Sequence, residues 1–402
     1  MRALQGEMRL GDLMIVNSQK KQHITILDWM RGFAAVLVCS SHLRNAMIVD
    51  WGNALDHGLI NKFLYGITGF GHQSVVVFFV LSGYLVGGSV IAAGPKFRWT
   101  TYLIARLSRL WVVLVPCLVI TFVADAFTVS FASDVLTGDY ATRWHSAPVA
   151  GKYSMSWQTL VGNLAFVQTI FVPVYGSNGP LWSLANEFWY YVMFPLVMNF
   201  VGKVGVVSRV SKLVSLVLFL TIFYWASIGV ITGFLVWIFG ALVSYLNNRM
   251  RQPMAWRRSI SVVSLVAFAT ALGLSKWSGV PAWFTPWSDL VLGVAVAAFL
   301  LCALQWDSIG PSHAQQSGAS KWFSDISFSL YLSHFPLVML VSAYLFHDAS
   351  LQPGLRTWIK FFCILGGLFL IARIVWCLFE RHTPIVKKFV ASWFNAIYIA
   401  HR

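Results

Sequence analysis

Hydropathy along the chain alternates between long apolar runs and short polar stretches dense in lysine and arginine. The apolar runs fall near residues 24–43, 74–93, 107–127, 181–201, 213–228, 230–247, 259–275, 289–305, 323–346 and 358–379. At 1.5 Å per residue, about 20 apolar residues make a helix that crosses a bilayer core of about 30 Å. The pattern therefore predicts an all-α, polytopic integral membrane helical bundle of about ten transmembrane helices. The division between the fifth and sixth runs rests on Ser227 and Gly229, because residues 213–246 carry no charge. A further apolar run, 158–175, contains Asn163, Gln168 and Pro173. It is expected to be re-entrant or interfacial. Internal repeats and low-complexity segments are not evident.

The cations test this division. With ten spans, twenty of the 29 lysines and arginines fall on the side shared by both termini, six on the other, and Arg31, Lys360 and Arg373 within spans. Merging 213–246 into one helix, or counting 158–175 as a span, scatters the clusters over both faces. Because cytoplasmic loops collect lysine and arginine, both termini are expected in the cytoplasm. The expected layout is a cytoplasmic N-terminal tail over 1–23, a membrane-embedded domain over 24–380 and a cytoplasmic C-terminal tail over 381–402. The first stretch is polar and has no apolar h-region, so no cleavable signal peptide is expected.

Composition narrows the class. Apolar residues make up 58% of the chain, charged residues 11%, and mean hydropathy is +0.69, which a soluble domain of this size could not carry on its surface. The net charge of +15 does not point to nucleic acid, since the cations sit in short clusters beside apolar runs. The 19 tryptophans, 13 tyrosines and 31 phenylalanines suit aromatic belts at two interfaces. Cys39, Cys117, Cys302, Cys363 and Cys377 lie in or near apolar runs without CxxC spacing. They read as buried thiols, with no metal site or disulfide framework. His57, His72, His145 and His347 also lack metal-ligand spacing.

Against this background, ionisable residues within apolar runs stand out, because each costs several kcal/mol in hydrocarbon. The first run holds Asp28, Arg31 and His42. Eleven residues turn a helix through about 1100°, so Arg31 and His42 share a face about 16 Å apart along the axis. Asp28 can pair with Arg31 at i, i+3. A structural ion pair with an interfacial histidine is the competing reading. Arg106 and Arg109 form an RxxR that can hold phosphates bidentately or simply anchor the helix end. In FFVLSGY, residues 78–84, Ser82 and Gly83 are small enough to admit a neighbouring helix or a ligand. In NGPLWSLANEFWYY, residues 178–191, Glu187 lies near Trp182, Trp189 and Tyr190. That combination suits a hydroxyl-rich ligand, and equally a charge satisfied by an arginine such as Arg44. Ser327, Tyr331 and His334 in SDISFSLYLSHFP, residues 324–336, carry no assigned chemistry beyond inter-helix hydrogen bonding.

The ordered set is more specific than any member. LDWMRG with a histidine eleven residues after the arginine, FFVLSGY, RLSR, LWSLANEFWYYVMFP and ISFSLYLSHFP together resemble the membrane-bound acyltransferase family 3, the carbohydrate O-acyltransferases. The resemblance spans about residues 24–380. It implies a ten-helix core that transfers an acyl group, acetyl in particular, from cytoplasmic acyl-CoA to a hydroxyl of an extracytoplasmic or lipid-linked glycan. The acyl-CoA is a co-substrate, with no bound cofactor. It implies a catalytic pair of His42 and the site carboxylate Glu187, which would position the sugar or stabilise a cationic His42, with Arg31, Arg106 and Arg109 on the donor side. Phe78, Ser82 and Gly83 fall at the donor channel, Trp182 at the acceptor, and Asp28, Tyr331 and His334 among orienting residues. The implied setting is a bacterial inner membrane, with membrane lipid as the other partner. Two positions depart from the pattern: Trp29 stands where glycine is common, and Val77 where a polar residue is often found. Both bear on the shape of the donor channel.

Polyanionic CoA would stay near the arginines while its thin arm reaches His42. The imidazole could then deprotonate a sugar hydroxyl or carry the acyl group itself. The sequence does not separate these routes. A transporter or flippase is the rival class, since it too keeps charge within helices. The chain lacks the matched glycine/proline interruptions in two halves that such a fold uses.

Overall fold

In a computed structural model, residues 25–140, 146–250, 257–276, 285–307, 318–347 and 349–400 are described. The first part of the chain forms α1 (Thr25–Met47), α2 (Leu59–Ile67), α3 (Gly71–Ser82), α4 (Gly88–Ala93), α5 (Trp99–Ala132) and α6 (Asp134–Thr137). Then come α7 (Trp157–Leu164), α8 (Leu181–Phe200), α9 (Arg209–Trp225), α10 (Ile228–Arg249) and α11 (Arg257–Leu274). The last part forms α12 (Thr285–Asp307), α13 (Gly318–Phe346), α14 (Leu355–Leu378) and α15 (Thr383–Ala400). A π-helical turn, Gly83–Gly87, joins α3 to α4. The described residues hold no β-strand, and their architecture is all-helical.

Every one of the ten expected apolar runs is helical. Six helical stretches among the described residues are long and apolar enough to cross a membrane: Leu59–Lys96, Trp99–Ala132, Ile228–Arg249, Trp287–Gln305, Gly318–Phe346 and Leu355–Phe394. The helices α1, α8, α9 and α11 fall outside that set. Helix α1 carries Asp28, Arg31 and Arg44, α8 carries Asn186 and Glu187, and α9 has only 17 residues. The expected break at Ser227 is present. Ser227 caps α10 by accepting from the Val230 backbone N–H, after α9 has ended at Trp225.

The run 158–175 forms no single helix. Only Trp157–Leu164 is helical, and the polar residues inside the run explain why. Asn163 donates to the carbonyls of Thr159 (2.8 Å) and Pro173 (3.0 Å) and accepts from Tyr175 N–H (3.1 Å). Gln168 donates to the carbonyl of Leu181 at 2.9 Å. These side chains satisfy backbone groups that a continued helix would have paired with each other. The loop then fastens to α5, where buried Asp125 accepts from both N–H and Oγ of Ser177 at 2.6 Å. Gly176 sits beside it at φ +58°, where a Cβ would lie 2.3 Å from the carboxylate.

Two close approaches organise the bundle. A Cβ on Gly32 of α1 would lie 2.6 Å from Cβ of Phe323, so α1 and α13 pack with their backbones near. On the other side of α3, a Cβ on Gly83 would lie 1.8 Å from the Trp237 carbonyl oxygen. One on Gly240 would lie 1.9 Å from that of Val80. The two glycines therefore pack α3 and its π-turn directly onto α10.

Prolines inside helices supply polar ties between them. Pro336 has no N–H for the carbonyl of Leu332, and that oxygen accepts instead from the side chain of Asn178 at 2.9 Å. Pro195 likewise releases the carbonyl of Tyr191, which accepts from the Tyr102 hydroxyl at 3.0 Å. The segment just before α8 is joined to α13, and α5 to α8, through these freed carbonyls.

Candidate active site

The polar side chains of the bundle collect in two groups joined by one face of α8. The first lies around the N-terminal parts of α1 and α5. Glu380, in the turn after α14, is 7% exposed and accepts from Ser329 N–H (3.2 Å) and Oγ (2.7 Å). A guanidinium nitrogen of Arg109 lies 3.9 Å from its other oxygen, and the same guanidinium stands over Phe328. Arg31 is within electrostatic reach of Arg109, Glu380, Asp28 and Glu187. Arg106 turns the other way, over the ring of Tyr102 at 5.9 Å, and its Nε is buried without a hydrogen-bond partner. The RxxR thus divides, one arginine toward Glu380 and the other toward Tyr102. Glu380 was not among the expected site residues. Its signal was a carboxylate ending the last apolar run, the only acidic residue after Asp348.

Glu187 accepts from Ser82 Oγ at 2.6 Å and from the Tyr191 hydroxyl, while Trp237 Nε1 donates to Ser82 Oγ at 3.1 Å. Both Arg106 and Glu187 act electrostatically on Tyr102 and Tyr191. The carboxylate therefore stands with Ser82 and the arginines. Glu187 and Trp182, expected in one pocket, contact different residues of α3. Five residues of helix set the two about 140° apart, and Trp182 packs edge-on against Phe79. Arg44 does not serve Glu187 either, since its guanidinium stands over Tyr65 and donates to Asn45. Gly83, expected at the donor channel, is used up in packing against α10.

The second group surrounds the C-terminal part of α1. His42 Nδ1 is 3.2 Å from Ser146 Oγ, and its ring meets Phe335 edge-on. The His334 ring lies 5.4 Å away, centroid to centroid. His334 is fully buried, at 0% exposure, with Nδ1 2.9 Å from the carbonyl of Leu330. A carbonyl only accepts, so Nδ1 carries the proton and Nε2 presents a lone pair. That Nε2 has no hydrogen-bond partner among the described residues. An unmet buried acceptor costs about 1–3 kcal/mol. Next to it, the Tyr331 hydroxyl meets Ser183 Oγ at 2.6 Å, and Phe78 packs edge-on against the Tyr331 ring.

Ser183, Glu187 and Tyr191 are spaced i, i+4, i+8 and so form one stripe along α8. The stripe touches Tyr331 at its first member and Ser82 at the other two. It runs from the imidazole group to the arginine group, with the carboxylate about 6 Å of helix axis beyond Ser183. Sequence reasoning missed Ser146, Tyr191, Tyr102 and Asn178 as well as Glu380. For Tyr102 and Asn178 the intrahelical prolines were the available signal. His145 and Arg143 lie outside the described residues.

Comparison with known proteins bears directly on this arrangement. The acyltransferase MdmB of Streptomyces mycarofaciens is 27% identical over 339 residues, 78% of each chain. The O-acetyl transferase of Shigella phage Sf6 is 26% identical over 136 residues, 34% of this chain and 37% of that protein. The peptidoglycan O-acetyltransferase OatA of Listeria monocytogenes is 20% identical over 409 residues, 93% of this chain and 58% of that protein. No solved structure matches. A sequence model of the acyltransferase domain matches residues 24–377, a stretch that holds every group above except Glu380. The chain is thus an integral membrane protein and an enzyme, a member of acyltransferase family 3.

Proposed function

We propose that the protein moves an acetyl group from cytoplasmic acetyl-CoA to a hydroxyl of an extracytoplasmic or lipid-linked glycan. The observation that carries this reading is the separation of two chemistries along α1. Arg31 belongs to the arginine group and His42, about 16 Å further along the helix, to the imidazole group. Arginines, among them Arg106 with its unpartnered Nε, suit the phosphates of CoA. A neutral imidazole suits acyl chemistry, as a base or as the acyl carrier. In this reading Arg31, Arg106 and Arg109 hold the donor, and Phe78 and Ser82 border its path. Glu187 orients the donor side through Ser82 and Arg106, which revises its expected place beside the acceptor. The acceptor approaches His42 from the C-terminal end of α1, with His334 beside it, and Asp28 and Tyr331 hold the surrounding helices in register.

The topology that goes with this function has ten spans, both termini in the cytoplasm of a bacterial cell and a membrane domain over 24–380. It is supported by the clustering of cations and by a helix at every expected run. Membranes bearing the protein, supplied with acetyl-CoA labelled in the acetyl group, test the reaction. Label is expected in glycan and free CoA in solution. An intact thioester with glycan moved across the membrane would favour a transporter instead.

A further inference from the structure

The arrangement of the two histidines divides the chemistry further. We infer that His42 carries the acyl group on Nε2 and that His334 Nε2 is the base that deprotonates the acceptor hydroxyl. This deepens the proposed function and rests on it.

Three observations support the division. The hydrogen bond to Leu330 leaves His334 Nε2 as the only basic position on that ring, and it is unpartnered. The contact of His42 Nδ1 with Ser146 leaves Nε2 as the nucleophilic nitrogen when Nδ1 donates. The spacing also fits. An attacking oxygen stands about 3 Å from an acyl carbon and about 2.6–3.2 Å from its base. The two imidazoles are neighbours, 5.4 Å apart between ring centroids, so one bound hydroxyl can meet both. A single imidazole cannot both bear the acyl group on Nε2 and accept a proton there, so a carrier at His42 needs a second base.

The balance is simple. Nε2 of His42 attacks the thioester, the C–S bond breaks, and CoA leaves as its thiolate. The hydroxyl oxygen of the acceptor then bonds to the acyl carbon while its proton passes to His334 Nε2. The C–N bond breaks and its electron pair returns to His42. His334 gives up the proton, which restores CoA thiol through solvent. The freed thiolate can reverse the first step in the absence of acceptor.

That reversal supplies the test. Purified wild-type protein in vesicles, given acetyl-CoA and isotopically labelled CoA without glycan, is expected to exchange label between them. His42→Gln should lose both exchange and transfer. His334→Gln keeps an acceptor atom near the position of Nε2 but cannot take up a proton. It should keep exchange and lose transfer by about 100-fold or more, the contribution of a general base. Exchange by the variant is its own demonstration of folding, and His334→Asn provides a second variant with the same expectation. The division is overturned if either His334 variant transfers normally, or if a folded variant loses exchange together with transfer. Wild-type protein that transfers without exchange would remove the acyl-histidine and the second base with it. Failure to use acetyl-CoA at all would instead count against the proposed function.

Discussion

The side chain of Asn178, just before α8, donates to the carbonyl of Leu332 in the middle of α13 at 2.9 Å. Pro336 is the reason that carbonyl is available. The same amide also donates to Thr121 of α5 at 3.1 Å, so a single residue ties three helices beside the imidazole pair. In a membrane, where water cannot satisfy a freed carbonyl, such a tie is required.

Asn178→Leu should therefore lower stability by about 1–3 kcal/mol through unmet buried groups. Pro336→Ala restores the N–H that can serve Leu332 and should recover part of the loss in the double variant. Thermal melting in detergent measures both. Additive losses would mean that the proline and the asparagine are not coupled.

His42→Ala should abolish acyl transfer while insertion and expression stay normal. A loss of at least about 100-fold in membrane assays is expected for removal of imidazole chemistry. Substantial turnover by correctly inserted protein would remove His42 from the mechanism.

Arg106→Lys and Arg109→Lys keep charge but lose the planar fork that grips phosphate. Each should raise the apparent KM for acetyl-CoA by about tenfold, the factor that 1.4 kcal/mol carries. Glu380→Gln should do the same chiefly through Arg109, since the carboxylate lies 3.9 Å from that guanidinium. If Arg109→Lys fails to insert while Arg106→Lys is unaffected, the pair is an anchor and not a donor site.

Glu187→Gln separates two places for the carboxylate. Because Glu187 is held by Ser82 and Tyr191, the variant should weaken donor binding. Transfer should recover at saturating acetyl-CoA. Normal donor binding with transfer lost at saturation would return Glu187 to the acceptor side.

Reporter fusions check the topology. Fusions at Arg257 and Lys388 are expected to read cytoplasmic, and one at Arg143 external. An external signal at Arg257 would remove the ten-span arrangement.

The positions of the helices were legible in the chain because they depend on local quantities. Apolar run length set where helices form, and Ser227 marked the one weak boundary, where the cap now stands. The 3.6-residue period put Arg31 and His42 on one face of α1, and the ordered motifs carried the family. Partners across helices were a different matter. Glu187 could have met Arg44, Trp182 or Ser82, and only the rotation of α8 against α3 selected Ser82. Gly83 could have admitted a ligand, but the reciprocal contact with α10 took its space. Glu380 and Ser146 sat outside every expected span, yet Glu380 meets Ser329 from the turn after α14 and Ser146 meets His42. The physical reason is that lipid and helix interior are equally apolar. Hydropathy then says that a helix is in the membrane, while its facing is decided by packing, freed carbonyls and buried hydrogen bonds between residues far apart in sequence.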